Sequence, residues 1–314
     1  MREGLFKSRT IECVGKKMKN GNRCVFCGAS GASSWASGPD YNQATKGDFD
    51  YLKCLKCGTV SLANVPADIS RHYPGRYSRY RYFRKGVGGG EVAELEREKL
   101  SKVRQFVTKG RLLDAGCGEG GFLRECKAAG FECFGNEFSY DGAKASSKYG
   151  IIEQGDFMKA RFENAFFDAI TFWHALEHLP NPLSATSKAH SLLKKGGYLF
   201  IAVPNPASLQ ARFFKKSWAH LDAPRHIYLV PPAVLAQKLA SQGFSVVKTD
   251  HFMTNYNAWG IGMSVLNALG ARHSIAKEPN AVIKAFGVII FSVLAWVESA
   301  FGAGGTYLLV ARKQ

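Results

Sequence analysis

This chain of 314 residues has no long hydrophobic run. Its most apolar stretch, Ala285 to Val297 between Lys284 and Glu298, covers about 13 residues, where a spanning helix needs roughly 20. A buried or interfacial helix is expected there. The opening "MREGLFKSRTIECVGKKMKN" carries charge but no apolar h-region, so no signal peptide is expected. A secreted-scaffold spacing of cysteines is also missing: the eight cysteines include two CxxC pairs, which fits a reducing cytoplasm. Acids are scarce, 25 against 42 Lys and Arg, a formal charge of +17. Residues 1–110 hold 21 bases and 10 acids, a net +11, and the rest of the chain nets +6. A basic first third suits an anionic partner: nucleic acid, a phosphorylated small molecule or an acidic membrane surface.

The cysteine pairs come first. Cys24-Val-Phe-Cys27-Gly and Cys54-Leu-Lys-Cys57-Gly each place two thiols on one tight turn, and two such turns make a tetrahedral S4 site suited to Zn2+. The sequence between them is polar and could not fold alone around a core, so metal would supply folding energy. A structural zinc ribbon is therefore expected within residues 1–65, with Cys13 a plain thiol. Residues 66–94 form a linker or lid. Its stretch "RHYPGRYSRYRYFRKGVGGG" interleaves basic residues with Tyr73, Tyr77 and further aromatics before a glycine hinge. Three roles fit it: a lid contacting substrate, a packed linker, or a nucleic-acid contact.

From residue 95 strands alternate with helices. Strands are expected at 111–115, 131–137, 151–155, 167–173, 197–203 and 244–250, with "TYLLVAR" last; helices fall at about 119–129, 140–149, 181–194 and 231–243. This rhythm predicts an α/β fold: a Rossmann-like, seven-stranded, mostly parallel sheet with helices on both faces. The ligand belongs at the carboxyl ends of its strands.

In "RLLDAGCGEGGFL" the pattern Gly116-x-Gly118-x-x-Gly121 meets the dinucleotide fingerprint, and Glu137 stands at the usual distance for a ribose contact. Asp114 argues against NAD, because a carboxylate beside the loop repels a pyrophosphate. S-adenosylmethionine (SAM) has no phosphate and carries an ammonium and a sulfonium, so the same acid attracts it. Gly116, Gly118 and Gly120 would let its methionine and ribose portions approach the backbone.

The motif "LLDAGCGEGGFL" resembles the first motif of class I SAM-dependent methyltransferases. "FGNEFS", "QGDF", "FDAITFWHALEHLPNP" and "LLKKGGYLFIAVPN" resemble that family's later motifs, in order, over about residues 95–250. The resemblance implies that Glu137 takes the ribose hydroxyls, that Asp156 lies near the adenine amine with Phe157 against the ring, and that His174 lies beside the sulfonium. The cysteine ribbon, "HYPGRY" and "LDAPRHIYLVPP" resemble bacterial methyltransferases of surface-polysaccharide, deoxysugar and natural-product clusters. The core resembles ubiquinone-pathway O-methyltransferases. A small or lipid-linked acceptor, a sugar derivative or quinone-like ring, is the expectation.

Methyl transfer to a hydroxyl or carbon acid needs a base. The candidates are His174, Glu177 and His178, in the turn after the fourth strand, and His226. The first three could also bind a divalent cation or cap the next helix. Arg225, after Pro224, could clamp a phosphate or carboxylate, or pair with Asp222 to hold its loop. Residues 252–303 are rich in Trp, Phe, Met and Gly. They read as an inserted helical pair over the substrate pocket, or as a shallow membrane contact at the inner face. Nucleic acid is disfavoured, because "HALEHLPNP" replaces the Asn/Asp-Pro-Pro-aromatic tetrad of DNA and RNA amino-methyltransferases and no Pro-Cys nucleophile is present. The rivals are an RNA-modifying enzyme and a non-catalytic SAM-binding or zinc-ribbon interaction protein. The oligomeric state is not set by the sequence.

Overall fold

The computed structural model describes residues 23–41, 46–73, 90–270 and 281–314. Tyr77, Cys13 and the expected glycine hinge at 88–89 lie outside them.

The N-terminal part forms three short strands, Ala32–Pro39 (β1), Asp48–Cys54 (β2) and Val60–Leu62 (β3), paired antiparallel. A helix, Gly90–Arg104 (α1), leads into the alternating region. There Gly110–Ala115 (β4), Gly121–Ala128 (α2), Phe131–Glu137 (β5), Tyr140–Ser146 (α3), Ile151–Gln154 (β6) and Phe167–Trp173 (β7) follow in turn. Pro182–Leu192 (α4) and the long strand Leu193–Pro204 (β8) come next. Leu209–Phe214 (α5), the short strand Tyr228–Leu229 (β9), Pro232–Ser241 (α6) and Phe244–Asp250 (β10) complete this part. Two helices, Thr254–Ala268 (α7) and Ala281–Ala300 (α8), precede the last strand, Thr306–Lys313 (β11).

The main sheet has seven strands in the order β10-β11-β8-β7-β4-β5-β6. The pairs β8–β7–β4–β5–β6 are parallel, and β11 runs antiparallel to both of its neighbours. Central parallel strands are covered on both sides, so they are apolar at nearly every position. Their alternating side chains serve two cores. Leu113, Ile170 and Phe172 meet Ala185, Ala189, Leu235 and Leu239 of α4 and α6 on one face. Leu112, Ala169 and Trp173 meet Leu100, Val103, Phe122 and Cys126 of α1 and α2 on the other.

The order reverses beside β4: β5 lies on one side of it and β7 on the other. The carboxyl ends of these strands therefore border a crevice, the usual ligand position in a doubly wound sheet.

Sequence patterning did not reveal how the cysteine module is completed. β9, from far down the chain, adds to β3 as the fourth strand of the small sheet, with Val60 opposite Leu229 and Ser61 opposite Tyr228. The polar segment between the cysteine pairs has no core of its own, as expected. Its Ala36 and Tyr51, with Val60 and Leu62 just beyond, share one with Trp218, Leu221, Ala223 and Leu229. No helix of the described residues is long and apolar enough to cross a membrane.

Candidate functional site

Asp114 ends the apolar run of β4 at the crevice and is 3% exposed. Thr171, on the adjacent β7, donates its hydroxyl to Asp114 Oδ1 at 2.7 Å. Burial pushes this carboxyl up to about 7, partly opposed by the Thr171 bond and the nearby Lys99 ammonium. Once ionised, an acid held in this way attracts a cation more strongly than a solvated one would, because little water competes for it.

The loop that follows hangs from β5: the Gly116 and Cys117 amides donate to the Asn136 carbonyl at 2.8 and 3.0 Å. At the tip of β5, Glu137 Oε2 accepts from the Gly118 amide at 2.9 Å and Oε1 from the Ser139 amide at 2.8 Å. Gly118, at φ +53°, faces open space, so a ligand can lie against its backbone. Gly120 differs. A Cβ there, at φ +81°, would meet Ser146 and Tyr149 at 2.8 Å, so helix packing by itself requires this glycine.

Of the two site residues in the "QGDF" turn, Asp156 keeps a position compatible with the sequence reading and Phe157 departs from it. Asp156 sits exposed beyond β6 and caps a short 3-10 turn, accepting from the Met158 amide at 2.9 Å. The neighbouring Phe157 is not open to an adenine ring. It packs edge-on against Phe172, 5.3 Å between centroids, because its apolar ring is better buried in the core than left at the crevice.

After β7 the chain bends through His174, a non-glycine residue at φ +53°, a strained conformation of the kind that collects at functional sites. Its ring stacks on Tyr256 of α7 at 4.1 Å, and its Nδ1 lies 3.3 Å from Glu177 Oε1. Glu177 and His178 sit on a 3-10 turn, Leu176–His178, and the arm 222–226 brings His226 against them. His226 Nδ1 lies 2.7 Å from the His220 carbonyl oxygen and so carries the hydrogen. Its Nε2 then faces Glu177 Oε1 at 3.8 Å and Asp222 Oδ2 at 3.7 Å. His178 Nδ1 lies 3.0 Å from the Arg225 carbonyl oxygen and 2.9 Å from the Tyr73 hydroxyl. The His178 and His226 rings are 4.6 Å apart.

Donor atoms of Glu177, His178 and His226 lie within 4.8 Å of one another. Adjacent residues on an α-helix would not share one ion easily, but this tighter turn and the incoming arm bring all three together. One carboxylate and two imidazoles can hold a divalent cation or pass a proton.

Arg225 is not at the mouth of the crevice. Its guanidinium is wholly buried and bonded to Asp40 Oδ1 at 2.7 Å, to Asp222 Oδ1 at 2.7 Å and to the carbonyl of His72 at 2.9 Å. A phosphate clamp needs free donors facing solvent, and these are committed to two carboxylates. Arg225 instead holds its loop, through Asp222 as the alternative expectation had it and through Asp40 besides.

Sequence reading missed Glu96 and Lys99 of α1, a buried pair 3.0 Å apart whose charges reach Asp114. The signal was the oppositely charged pair at i, i+3 amid the apolar positions of "AELEREKL". It also missed His220 and Tyr256, stacked at 5.3 Å beside His174.

The cysteine site is built as its spacing required. Cys24 and Cys57 sulfurs lie 3.6 Å apart, as do Cys27 and Cys54, and all four lie within 4.8 Å of one another. Thiolates bound to zinc at about 2.3 Å stand roughly 3.8 Å apart in a tetrahedron, so the residues fit the ion.

A doubly wound sheet, a glycine loop over a buried acid and a second acid at the tip of the next strand define an α/β protein whose crevice suits a nucleoside-bearing cation. Residues 90–249 match the family described as methyltransferase domain, and the chain belongs to that family. Among its relatives, sterol 24-C-methyltransferase ERG6 of Saccharomyces cerevisiae is 32% identical over 170 residues, 50% of this chain and 40% of that protein. The ubiquinone biosynthesis O-methyltransferase of Nitrosomonas europaea is 30% identical over 125 residues, 37% of this chain and 52% of that one. The chain thus spans about half the length of the curated relatives it matches. A solved SAM-dependent methyltransferase from Archaeoglobus fulgidus superposes with a TM-score of 0.52 at 24% identity, over 75% of this chain and 100% of that one. At this identity the likeness shows the shared fold.

Proposed function

We propose that this protein transfers a methyl group from SAM to a small or lipid-linked acceptor, a sugar derivative or a quinone-like ring. The observation that supports it most is the buried carboxylate of Asp114 under the glycine loop. Charge there opposes a pyrophosphate and favours an ammonium or sulfonium, which separates SAM from NAD among ligands of this fold. Membership in the methyltransferase domain family agrees.

Bound SAM supplies a methyl group on a positively charged sulfur. Gly118 and Glu137 would hold its ribose side, and Asp114, supported by Thr171, its cationic side. The acceptor belongs beside His174, Glu177, His178 and His226. The lone pair of His178 Nε2 can take the acceptor's proton. His226 is wholly buried with Nε2 facing Glu177 and Asp222, so it would act through Glu177, which lies between His174 and His226 and stabilises an imidazolium. The same residues would serve as ligands if the acceptor is activated by a divalent ion. Zinc at the four cysteines is structural in this reading, and the protein works in the cytoplasm.

Transfer of labelled methyl from SAM into an extract of the source cell, split into aqueous metabolites, lipids and RNA, tests the reading. Label in the metabolite or lipid fraction supports it. Label confined to RNA would replace it with an RNA-modifying enzyme, which the basic first third favours. SAM binding without transfer to any fraction would make the chain a non-catalytic SAM-binding protein.

A further inference from the structure

The two helices between β10 and β11 bury a small apolar seam, Ala258, Ile261 and Ala295, yet leave a second apolar face outside. Along α8 and its exit, Ile290, Val293, Leu294, Val297 and Phe301 recur at helical spacing, and all are exposed, Phe301 at 81%. The inward side of the same helix carries Ala295 together with polar groups. Glu298 is buried and accepts from the Gln210 amide at 2.9 Å and from Gln210 Nε2 at 2.7 Å; Ser299 donates to the His251 carbonyl at 2.8 Å. The C-terminal end of α7 adds to the pattern, although Tyr256, Ala258 and Ile261 earlier in the helix are buried. Asn267 and Ser264 point inward, onto the Ser217 carbonyl and the Ala219 amide, while Leu266 and Leu269 face out.

A helix packed on its own domain normally turns its apolar side inward, since each buried methylene is stabilised and each buried polar group must find a partner. Here the polar groups have their partners inside, and the apolar stripe is left for something else.

α5 is tied to α8 by the Gln210–Glu298 bonds. There Leu209 and Phe213 are exposed, Phe213 at 80%. Beside them Arg212, Lys215 and Lys216 are also exposed. An apolar face edged with cations matches a bilayer of anionic lipid, with acyl chains below and phosphates around the rim. A second copy of the chain fits less well, because it would set these cations, and a formal charge of +17 on each partner, against one another. No described helix is long and apolar enough to span, so contact along the surface is the geometry left.

We infer that α5, α7 and α8 form a docking face for an anionic membrane surface. α7 links the face to the site: its Tyr256, near one end, stacks on His174, and Leu266 is exposed near the other, with Leu269 just beyond it. On the methyltransferase reading above, which this last step rests on, the acceptor is lipid-linked and enters beside His174 from the bilayer.

The test is sedimentation of the full chain with vesicles of phosphatidylglycerol and phosphatidylethanolamine, and with vesicles of phosphatidylcholine alone. Binding to the anionic vesicles, weakened by salt and at least tenfold by the double change V293D/F301D, is expected. F213D should act in the same direction. These positions are exposed, so unchanged thermal melting and SAM affinity without vesicles will confirm that the variants fold. Equal binding by the variants, or no binding to either vesicle, overturns the inference. A concentration-dependent dimer abolished by V293D/F301D would give the face to a second copy and overturn it too. SAM affinity is read separately, so vesicle binding by a chain that does not bind SAM would sink only the methyltransferase reading.

Discussion

Arg225 and Asp40 are 185 residues apart, yet their side chains meet at 2.7 Å with neither exposed to solvent. The bond fastens the cysteine module to the arm that carries His226. Tyr51 of the same module adds a second tie, its hydroxyl donating to the His226 carbonyl at 2.9 Å. The small sheet is therefore part of the support of the candidate site.

Removing one member of that buried pair leaves the other charged and unpaired, which typically costs about 3–5 kcal/mol. Arg225→Ala should lower the melting temperature by many degrees, and Asp40→Asn by less, since Asp222 still faces the guanidinium. Thermal melting of the two variants against the parent chain measures this. A melt of Arg225→Ala that overlays the parent would show that the pair does not hold the arm.

Asp114 gives a pH dependence with a definite sign. Its carboxyl is raised by burial to about 7, so the folded chain holds a proton that the unfolded chain has lost. This contribution to stability is full below the ordinary Asp range near 4 and is lost as the pH rises through about 7. SAM affinity should move the other way, because a cation prefers the ionised acid. Calorimetric titration should show binding weakening below pH 7, approaching tenfold per unit, and Asp114→Asn should flatten that slope while weakening binding about tenfold at pH 8.

Cys27→Ser, or a strong chelator, should remove one equivalent of zinc per chain and destabilise the protein. β3 and β9 are paired directly beyond the second cysteine turn. Amide exchange at Tyr228 and Leu229 should accelerate with metal loss, whereas exchange in β4 and β7 should not. An unchanged pattern after quantitative zinc removal would contradict the coupling.

For the base, His178→Ala should keep SAM affinity and lower kcat, and His226→Ala should do so through Glu177. The effect expected of a lost general base is about 10²–10⁴-fold. Glu177→Gln should lower kcat as well, through loss of the charge beside both His174 and His226. Adding divalent ions during the same assay separates the two chemistries: Mg2+ or Mn2+ that raises the activity of enzyme still holding its cysteine-bound zinc, but not that of Glu177→Gln, identifies Glu177, His178 and His226 as ligands.

Gly120 and Gly118 should part company. Gly120→Ala forces a Cβ to within 2.8 Å of Ser146 and Tyr149 at a positive φ, so its main effect should be a lower melting temperature. At Gly118 the space is open, and an added methyl group should instead reduce SAM affinity. Melting and titration of both variants distinguish packing from approach.

Local patterns were enough for much of this. The strand–helix rhythm, the acid before the glycine loop and the two CxxC turns each involve residues close in sequence, where backbone preference and side-chain chemistry act together. The seven-stranded sheet and the four-sulfur cluster were therefore legible in the order of residues alone. Charge at one position, Asp114, sufficed to choose between two ligands of the same fold.

Other features depended on residues far apart in the chain. Arg225 reads as a phosphate clamp until Asp40 arrives to neutralise it, and Phe157 reads as an adenine platform until Phe172 draws it into the core. Nor does the order of residues show that β9 closes the small sheet, that His226 joins Glu177 and His178, or that α8 turns Glu298 inward and Phe301 outward. The reason is physical. Periodicity tells which residues share a face, but burial and pairing depend on what packs against that face, and only the folded chain supplies it.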